Sequence, residues 1–234
     1  MSLLNEIENT IEKHNKEILK AKKKKMKSLP GWYGLDSPHA GGAGISEDVN
    51  MNEMKEFYEE RTKRHIELVN KYGELIKEKY EEYSNVDFDS HDVSKYEEPE
   101  YTPYLHITWK YKCKNDEDMA EYTPPKEIED DMLEATEHHV LNNKHHPEYW
   151  SGENDSVINK DNRDAPPEKI INAFDMPDSA IAEMVADWCA MSEELGKNTP
   201  KEWADDNVGV RWDFNDEQKK LIYDIIENIW SDDV

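Results

Sequence analysis

Nine histidines would mean little if scattered along the chain, but four of them fall within the nine residues His138 to His146, and a fifth, His91, adjoins Asp92. Imidazole and carboxylate together suit Mn, Fe, Co, Ni and Zn, whereas Mg prefers an all-oxygen shell that keeps several waters. The implied chemistry is that of a bound divalent transition metal. Within the cluster, His138 and His145 are seven residues apart, as are His139 and His146. On an unbroken helix the members of each pair would project from one face, about 10 Å apart. One ion cannot take both members of such a pair; two neighbouring ions can, or the helix breaks near Lys144. Each residue also has a structural reading. His65 can be a hydrogen-bonded core histidine, and the His138 to His146 run, with Asn142, Asn143 and Lys144 inside it, can be a polar surface. Asp187 is harder to explain this way, because an uncompensated carboxylate beside a Met-rich apolar stripe is costly and needs a cation or donors.

The elements that must position these residues are helical, and the fold class expected is all-α. From Met51 to about Tyr83, Met54, Tyr58, His65, Leu68, Val69, Tyr72, Leu75 and Ile76 trace one face of a long helix. Asp87, Asp89 and Ser90 then break the pattern and place His91 to Tyr96 at the start of another helix, which Pro99 and Pro103 soon interrupt. Pro124-Pro125 opens a helical run through Ile128, Met132, Ala135 and His139 toward His146. A polar stretch from Ser151 to Asp164 reads as a loop. Pro177 starts a helix through Ile181, Met184, Val185, Trp188, Met191 and Leu195, closed by Gly196, and Asp187 lies on or beside its buried face. A last helix spans about Asp213 to Trp230. No alternating strand pattern of useful length and no internal repeat is present.

Ahead of this body, residues 1 to 50 divide from 51 to 234 as an N-terminal arm. Residues 2 to 28 read as a helix ending in Lys22 to Lys25, and a turn-rich linker with Pro30-Gly31 and Gly41-Gly42-Ala43-Gly44 follows. The linker is no phosphate cradle, since Ile45-Ser46 stands where a P-loop needs Lys followed by Ser or Thr. The Lys cluster suits a solvated arm, an anionic partner or contact with a second subunit, so a homo-oligomer through this helix is an open expectation.

Charge narrows the partners. The formal net charge is −25, from 29 basic and 54 acidic residues. Residues 1 to 30 hold eight Lys against four Glu, which leaves 21 basic and 50 acidic residues in the rest. Such a body repels duplex nucleic acid, and a phosphorylated ligand needs local positive charge to receive it. Two cysteines, Cys113 and Cys189, do not make a disulfide framework, which favours a reducing compartment. No export signal or membrane span is expected, so the expected location is cytoplasmic. Seven Trp and twelve Tyr supply the large buried surfaces that a folded body of this composition requires.

The order of the candidate ligands resembles the HD-domain superfamily of metal-dependent phosphohydrolases: His65, then His91-Asp92, then the histidine cluster, then Asp187. In that superfamily a His, an adjacent His-Asp pair and a distant Asp hold the core metal, and members with more ions add histidines between the pair and the last Asp. By this resemblance His65, His91, Asp92 and Asp187 are the core metal ligands, His139, His145 and His146 the additional set, and the fold an HD-type helical bundle. Three segments, His91 to Tyr96, His139 to Trp150 and Met184 to Trp188, are similar to an uncharacterised family of phage and bacterial proteins built on the same pattern. That resemblance covers roughly residues 55 to 232, and a phage origin would place the protein in host cytoplasm. The spacing from Asp92 through His139 to His145 is more compressed than in the two-metal cyclic-dinucleotide phosphodiesterases, so one ion or two stay open.

The resemblance implies a metal-dependent phosphohydrolase acting on a nucleotide or another small phosphate ester. Asp92 is expected to orient or deprotonate the attacking water, and Lys95, one turn on, to receive phosphate charge. Arg61 and Asn143 are further substrate-contact candidates, while His14, His39 and His106 lie outside the pattern. Two other classes fit the same ligands: an HD-type di-iron oxygenase, and a non-catalytic, metal-stabilised protein that sequesters a nucleotide or blocks a host factor.

Overall fold

A computed structural model describes residues 50–152, 157–160 and 165–231. The expected arm helix, the Lys22 to Lys25 cluster and the Gly-rich linker lie outside the described residues. Within them the fold is all-α: α1 (Met51–Lys79), α2 (Tyr101–Asn115), α3 (Lys126–Asn142), the single turn α4 (Pro147–Trp150), α5 (Asp178–Leu195), α6 (Pro200–Asn207) and α7 (Asp216–Ile229). Two 3-10 turns, Glu81–Tyr83 and Val93–Tyr96, join α1 to α2. Two short strands, β1 (Ile171–Asn172) and β2 (Trp212–Asp213), pair in parallel.

Helix α5 is the axis of the molecule. Ile181, Met184, Val185, Trp188 and Cys189 are buried, as are the alanines at 180, 182, 186 and 190, so this helix is apolar on nearly every side and must be enclosed. It is enclosed by α1, α6 and α7. Gly196 ends it in the left-handed conformation at φ 60, as its position after the last apolar residue predicts. The buried face of α1 divides in two. Its C-terminal half, with Val69, Tyr72 and Ile76, joins α5 and α7 in the main core, whereas Met54 and Tyr58 pack with Leu105, Trp109 and Cys113 of α2 in a smaller cluster. His65 lies between these two clusters along α1.

Several boundaries differ from the sequence expectation. The prolines at 99 and 103 do not leave an irregular stretch; a fifteen-residue helix, α2, begins at Tyr101. Pro103 sits in its first turn, where a missing N–H breaks no helical bond. His91 and Asp92 precede a 3-10 turn instead of opening an α-helix. The last helix starts at Asp216, set by a capping box in which Asn215 and Gln218 each accept from the other's backbone N–H. Asp213, expected to be helical, belongs to β2. Helix α6, which the apolar pattern alone does not reveal, is opened by the same device at Thr199 and Glu202.

Candidate metal centre

Each candidate ligand is delivered by an element whose local sequence explains its placement. His65 continues the buried stripe of α1, and Asp187 projects from α5. His139 lies in the last turn of α3, which ends at Asn142, so His145 and His146 follow in a turn and not on the helix. The seven-residue spacing therefore carries no helical geometry: of the two alternatives, a break of the helix near Lys144 is the one found. That turn is fixed from both ends: Trp150 Nε1 donates to the Lys144 carbonyl at 2.8 Å, and Trp212 Nε1 donates to Glu148 at 2.7 Å. Burial pushes the Glu148 carboxyl above its ordinary range. Asp92 adopts φ 57, the one positive φ outside glycine among the described residues. Aspartate tolerates this left-handed region better than most residues, but holding a non-glycine residue there still stores strain that the surrounding packing must sustain.

The geometry converges on Asp92, a side chain only 1% exposed. Its Oδ2 lies 3.5 Å from His65 Nε2 and 3.6 Å from His91 Nε2, while its Oδ1 lies 3.4 Å from His139 Nε2 and 3.6 Å from His145 Nε2. Asp187 Oδ1 joins the first side at 3.1 Å from His65 Nε2 and 3.8 Å from His91 Nε2. The His146 ring joins the second, with centroids 4.8 Å from His139 and 4.2 Å from His145. His65, His91 and Asp92 form one group of ligand atoms within 4.8 Å of one another, and His139, His145 and His146 form another.

Carboxylates behind the rings decide which nitrogen faces inward. Glu183 Oε1 lies 3.1 Å from His91 Nδ1 and 3.3 Å from His145 Nδ1, so one glutamate braces a ring on each side of Asp92. Glu100, fully buried, accepts from His139 Nδ1 at 2.8 Å, His138 Nδ1 at 2.7 Å and Ser94 Oγ at 3.0 Å. Glu194 Oε2 faces His65 Nδ1 at 3.5 Å, too long for a strong hydrogen bond. A proton held on Nδ1 leaves the Nε2 lone pair directed at Asp92, the arrangement that orients imidazole for a metal. Glu183 with His91 and His145 also lies close enough to be a ligand group, but it uses the Nδ1 atoms that brace the rings.

Charge follows from this packing. For His65, burial favours the neutral ring, but Asp187 and Glu194 outweigh it and raise its pKa to about 9. His145 is raised too, its burial outweighed by Glu183 and Asp92. Burial lowers His91 and His139, and burial with two neighbouring rings lowers His146 well below the usual imidazole range. Asp92 stays far below the ordinary carboxylate range because Lys95 and the histidines outweigh its burial. Asp187 and Glu183 are each held down to about 2, the histidines beside them overcoming burial.

These residues can hold metal ions. His91 Nε2, Asp92 Oδ1 and His146 Nε2 are buried without a hydrogen-bond partner. Orphaned polar atoms cost about 1–3 kcal/mol each, and three on one centre call for something that serves all of them. A divalent cation does, and neutral imidazole with ionised carboxylate is the donor set it requires.

A cavity of about 300 Å³ opens onto the centre, lined by His65, Asp92, His139, His145, His146 and Asp187 at its floor. Lys95 and Arg61 also line it. Lys95 Nζ lies 2.5 Å from Asp92 Oδ2, and Arg61 Nε lies 2.8 Å from Glu194 Oε1. Asn143, expected to contact substrate, is not on the cavity wall. It caps α3 and donates to Ser94 Oγ and the His139 carbonyl, each at 2.9 Å, so its short side chain is spent holding His139 in place. His106, given no role, pairs with Tyr122 away from the centre.

Sequence reasoning missed Glu100, Glu183 and Glu194. For the last two a signal existed: with Asp187 they lie four and seven residues apart, one acidic face on an otherwise apolar helix. Glu100 sits at a turn and has no such periodic mark.

No helix among the described residues is long and apolar enough to cross a membrane. No curated protein and no solved structure matches the chain. The model of a family of unknown function, DUF5662, matches residues 54–228, which include every residue of the centre, and the chain belongs to that family.

Proposed function

We propose that the protein is a phosphohydrolase of HD type that uses two divalent transition metal ions to cleave a nucleotide or another small phosphate ester. The observation that carries this reading is the division of Asp92, whose two oxygens each face a separate pair of imidazole Nε2 atoms. Asp92 would serve both ions, one held with His65, His91 and Asp187 and the other with His139, His145 and His146. The donor set fits Mn, Fe, Co, Ni or Zn better than Mg. When bound, such ions supply Lewis acidity, which lowers the pKa of water from 15.7 toward about 7 and polarises a phosphoryl oxygen.

The chain's own residues divide the remaining work. Asp92, held ionised by Lys95 and the histidines, orients water and is a poor store for its proton. Lys95, on the cavity wall beside Asp92, is placed to share its charge with a phosphoryl oxygen, and Arg61 stands one step outward. These cations favour hydrolysis of an anionic ester over an oxygenase reaction on the same ligands.

The test is elemental analysis of protein purified under nitrogen, joined to a turnover screen of mononucleotides, cyclic dinucleotides and deoxynucleoside triphosphates. Two transition ions per chain and anaerobic release of phosphate or a phosphomonoester are expected. Turnover that requires iron and oxygen would replace this reading with the oxygenase one. A nucleotide retained through gel filtration by fully loaded protein, with none of the panel cleaved, would leave a sequestering protein.

A further inference from the structure

Beyond the metal floor the cavity continues as a slot with its own chemistry. Tyr104, Ile107, Thr108, Tyr111, Lys112 and Asn115 line it from α2, at intervals of three and four residues that keep them on one face. Tyr104 marks the metal end: its ring centroid is 5.8 Å from that of His139, and Lys95 Nζ lies 5.8 Å from its ring. Phe57 marks the far end from α1, two turns from His65, or about 12 Å along the helix. Between these ends the wall is rich in aromatic surface.

The far end carries positive charge that no described residue neutralises. Lys112 Nζ sits 4.3 Å from the Phe57 ring centroid and 4.7 Å from that of Trp109, and no carboxylate among the described residues is within ion-pair distance of it. Lys197, beyond the C-terminal end of α5, lines the same cavity with no acidic partner among the described residues. By contrast, Arg61 and Lys95 nearer the floor are each paired. Beyond residue 30 the chain has 50 acidic residues against 21 basic, so two lysines facing a cavity without acidic partners among the described residues single it out as a local anion receptor.

The geometry points to a distal subsite, in which Phe57, Tyr111 and Lys112 hold the non-reacting part of the ligand: a planar apolar body ending in a second anionic group. This inference rests on the phosphohydrolase reading for the near end and adds the class of ester that the slot selects. A phosphate ester of a small alcohol would fill the floor and leave the slot empty. One with an aromatic body and a terminal carboxylate or second phosphate would use both ends.

Three phosphonates test it without requiring turnover: methylphosphonate, biphenyl-4-phosphonate, and its analogue with a carboxylate on the far ring. Their binding to manganese-loaded protein is measured by calorimetry. The expected order is methylphosphonate weakest and the carboxylated biaryl tightest, with at least a tenfold gain from the carboxylate, equivalent to about 1.4 kcal/mol. Lys112→Gln, on a partly exposed helix face, should erase that gain and leave methylphosphonate affinity, which reports an intact floor, unchanged. Phe57→Ala should weaken both biaryls and spare methylphosphonate. Equal affinity for the two biaryls, or a carboxylate gain that survives in Lys112→Gln, would overturn the distal subsite alone. Failure of methylphosphonate to bind loaded protein would remove the phosphate reading, and this inference with it.

Discussion

On one side of Asp92, His65 and Asp187 stand on the middles of two long helices, α1 and α5, with Glu194 behind His65 and Glu183 behind His91. On the other, His139 lies in the last turn of α3, and His145 and His146 occupy the turn that follows. The first side holds so much negative charge that His65 keeps a proton up to about pH 9. The second is rich in imidazole, and His146 is pushed well below its usual range by burial and by its neighbouring rings. A dication entering the first side meets Asp92 and Asp187 together, whereas on the second Asp92 is the carboxylate at the Nε2 edges of the rings, with Glu100 and Glu183 behind them at Nδ1. On the two-ion proposal the ions should therefore differ in affinity, the one beside Asp187 being held more tightly and the one beside His146 exchanging first.

Removing the shared group has the largest effect. Asp92→Ala should abolish binding of both ions, read as metal content after gel filtration, because both sides then lose the carboxylate they share and the first keeps only Asp187. Changes on one side should separate the pair. His146→Ala should lower the content to one tightly held ion, and Asp187→Ala should weaken the tighter ion and leave the weaker. Loss of both ions in His146→Ala would show that the sides are a single cooperative site and not two.

Protons sharpen the same contrast. In the metal-free protein, His65 has a folded pKa of about 9, above its ordinary value of 6.5. The stability it contributes is fully present below 6.5 and lost as pH rises through 9. Glu183 and Asp187, depressed to about 2 from 4.5 and 3.8, contribute stability above those ordinary values that is lost as pH falls toward 2. Thermal unfolding of metal-free protein should accordingly peak in mildly acidic to neutral solution. Metal affinity should climb from pH 6.5 to 9 as the His65 proton becomes easier to displace, and calorimetry in buffers of different ionisation enthalpy should detect its release.

The bracing glutamates come next in size. Glu183→Gln keeps the side chain's volume but removes the charge shared by His91 and His145, and loss of such a bracing partner typically costs 10–100-fold in metal affinity. Because Glu183 reaches both sides, both ions should weaken. A change confined to one would assign the brace to a single ring.

How the site could be read in the sequence follows from where its parts lie. His65 and Asp187 stood out because helical periodicity sets them on or beside buried stripes, where a polar residue has few explanations. His91-Asp92 and His145-His146 stood out by adjacency alone, since turns have no period to break. Glu100, Glu183 and Glu194 did not stand out: 54 acidic residues give an individual glutamate no contrast, and only the three-dimensional packing shows which ones back an imidazole. The same reasoning explains the fold. The apolar stripes of α1, α5 and α7 revealed them, whereas α2 was hidden by prolines whose harmless first-turn position depends on where the helix begins.

A last prediction concerns the segment that carries His91 and Asp92, neither of which stands on a long helix. Between α1 and this turn, Phe88 lies flat against Gly73, so closely that a Cβ at Gly73 would overlap the ring. Glycine is otherwise a poor choice in a helix interior, where alanine is better by about 1 kcal/mol. Phe88 is 1% exposed and three of its ring atoms lie within 3 Å of where that Cβ would stand, so the added methyl must push the ring and, with it, the backbone three residues before His91. Overpacking of this kind costs about 1–3 kcal/mol, more than the helix gains, and Gly73→Ala should lower the thermal midpoint while weakening metal binding through displaced His91 and Asp92. His146, carried by a separate turn, should be spared. If Gly73→Ala were instead more stable and retained both ions unchanged, the Phe88 contact would be shown not to hold the pair in register, and the strain at Asp92 would have to be sustained from the α5 side alone.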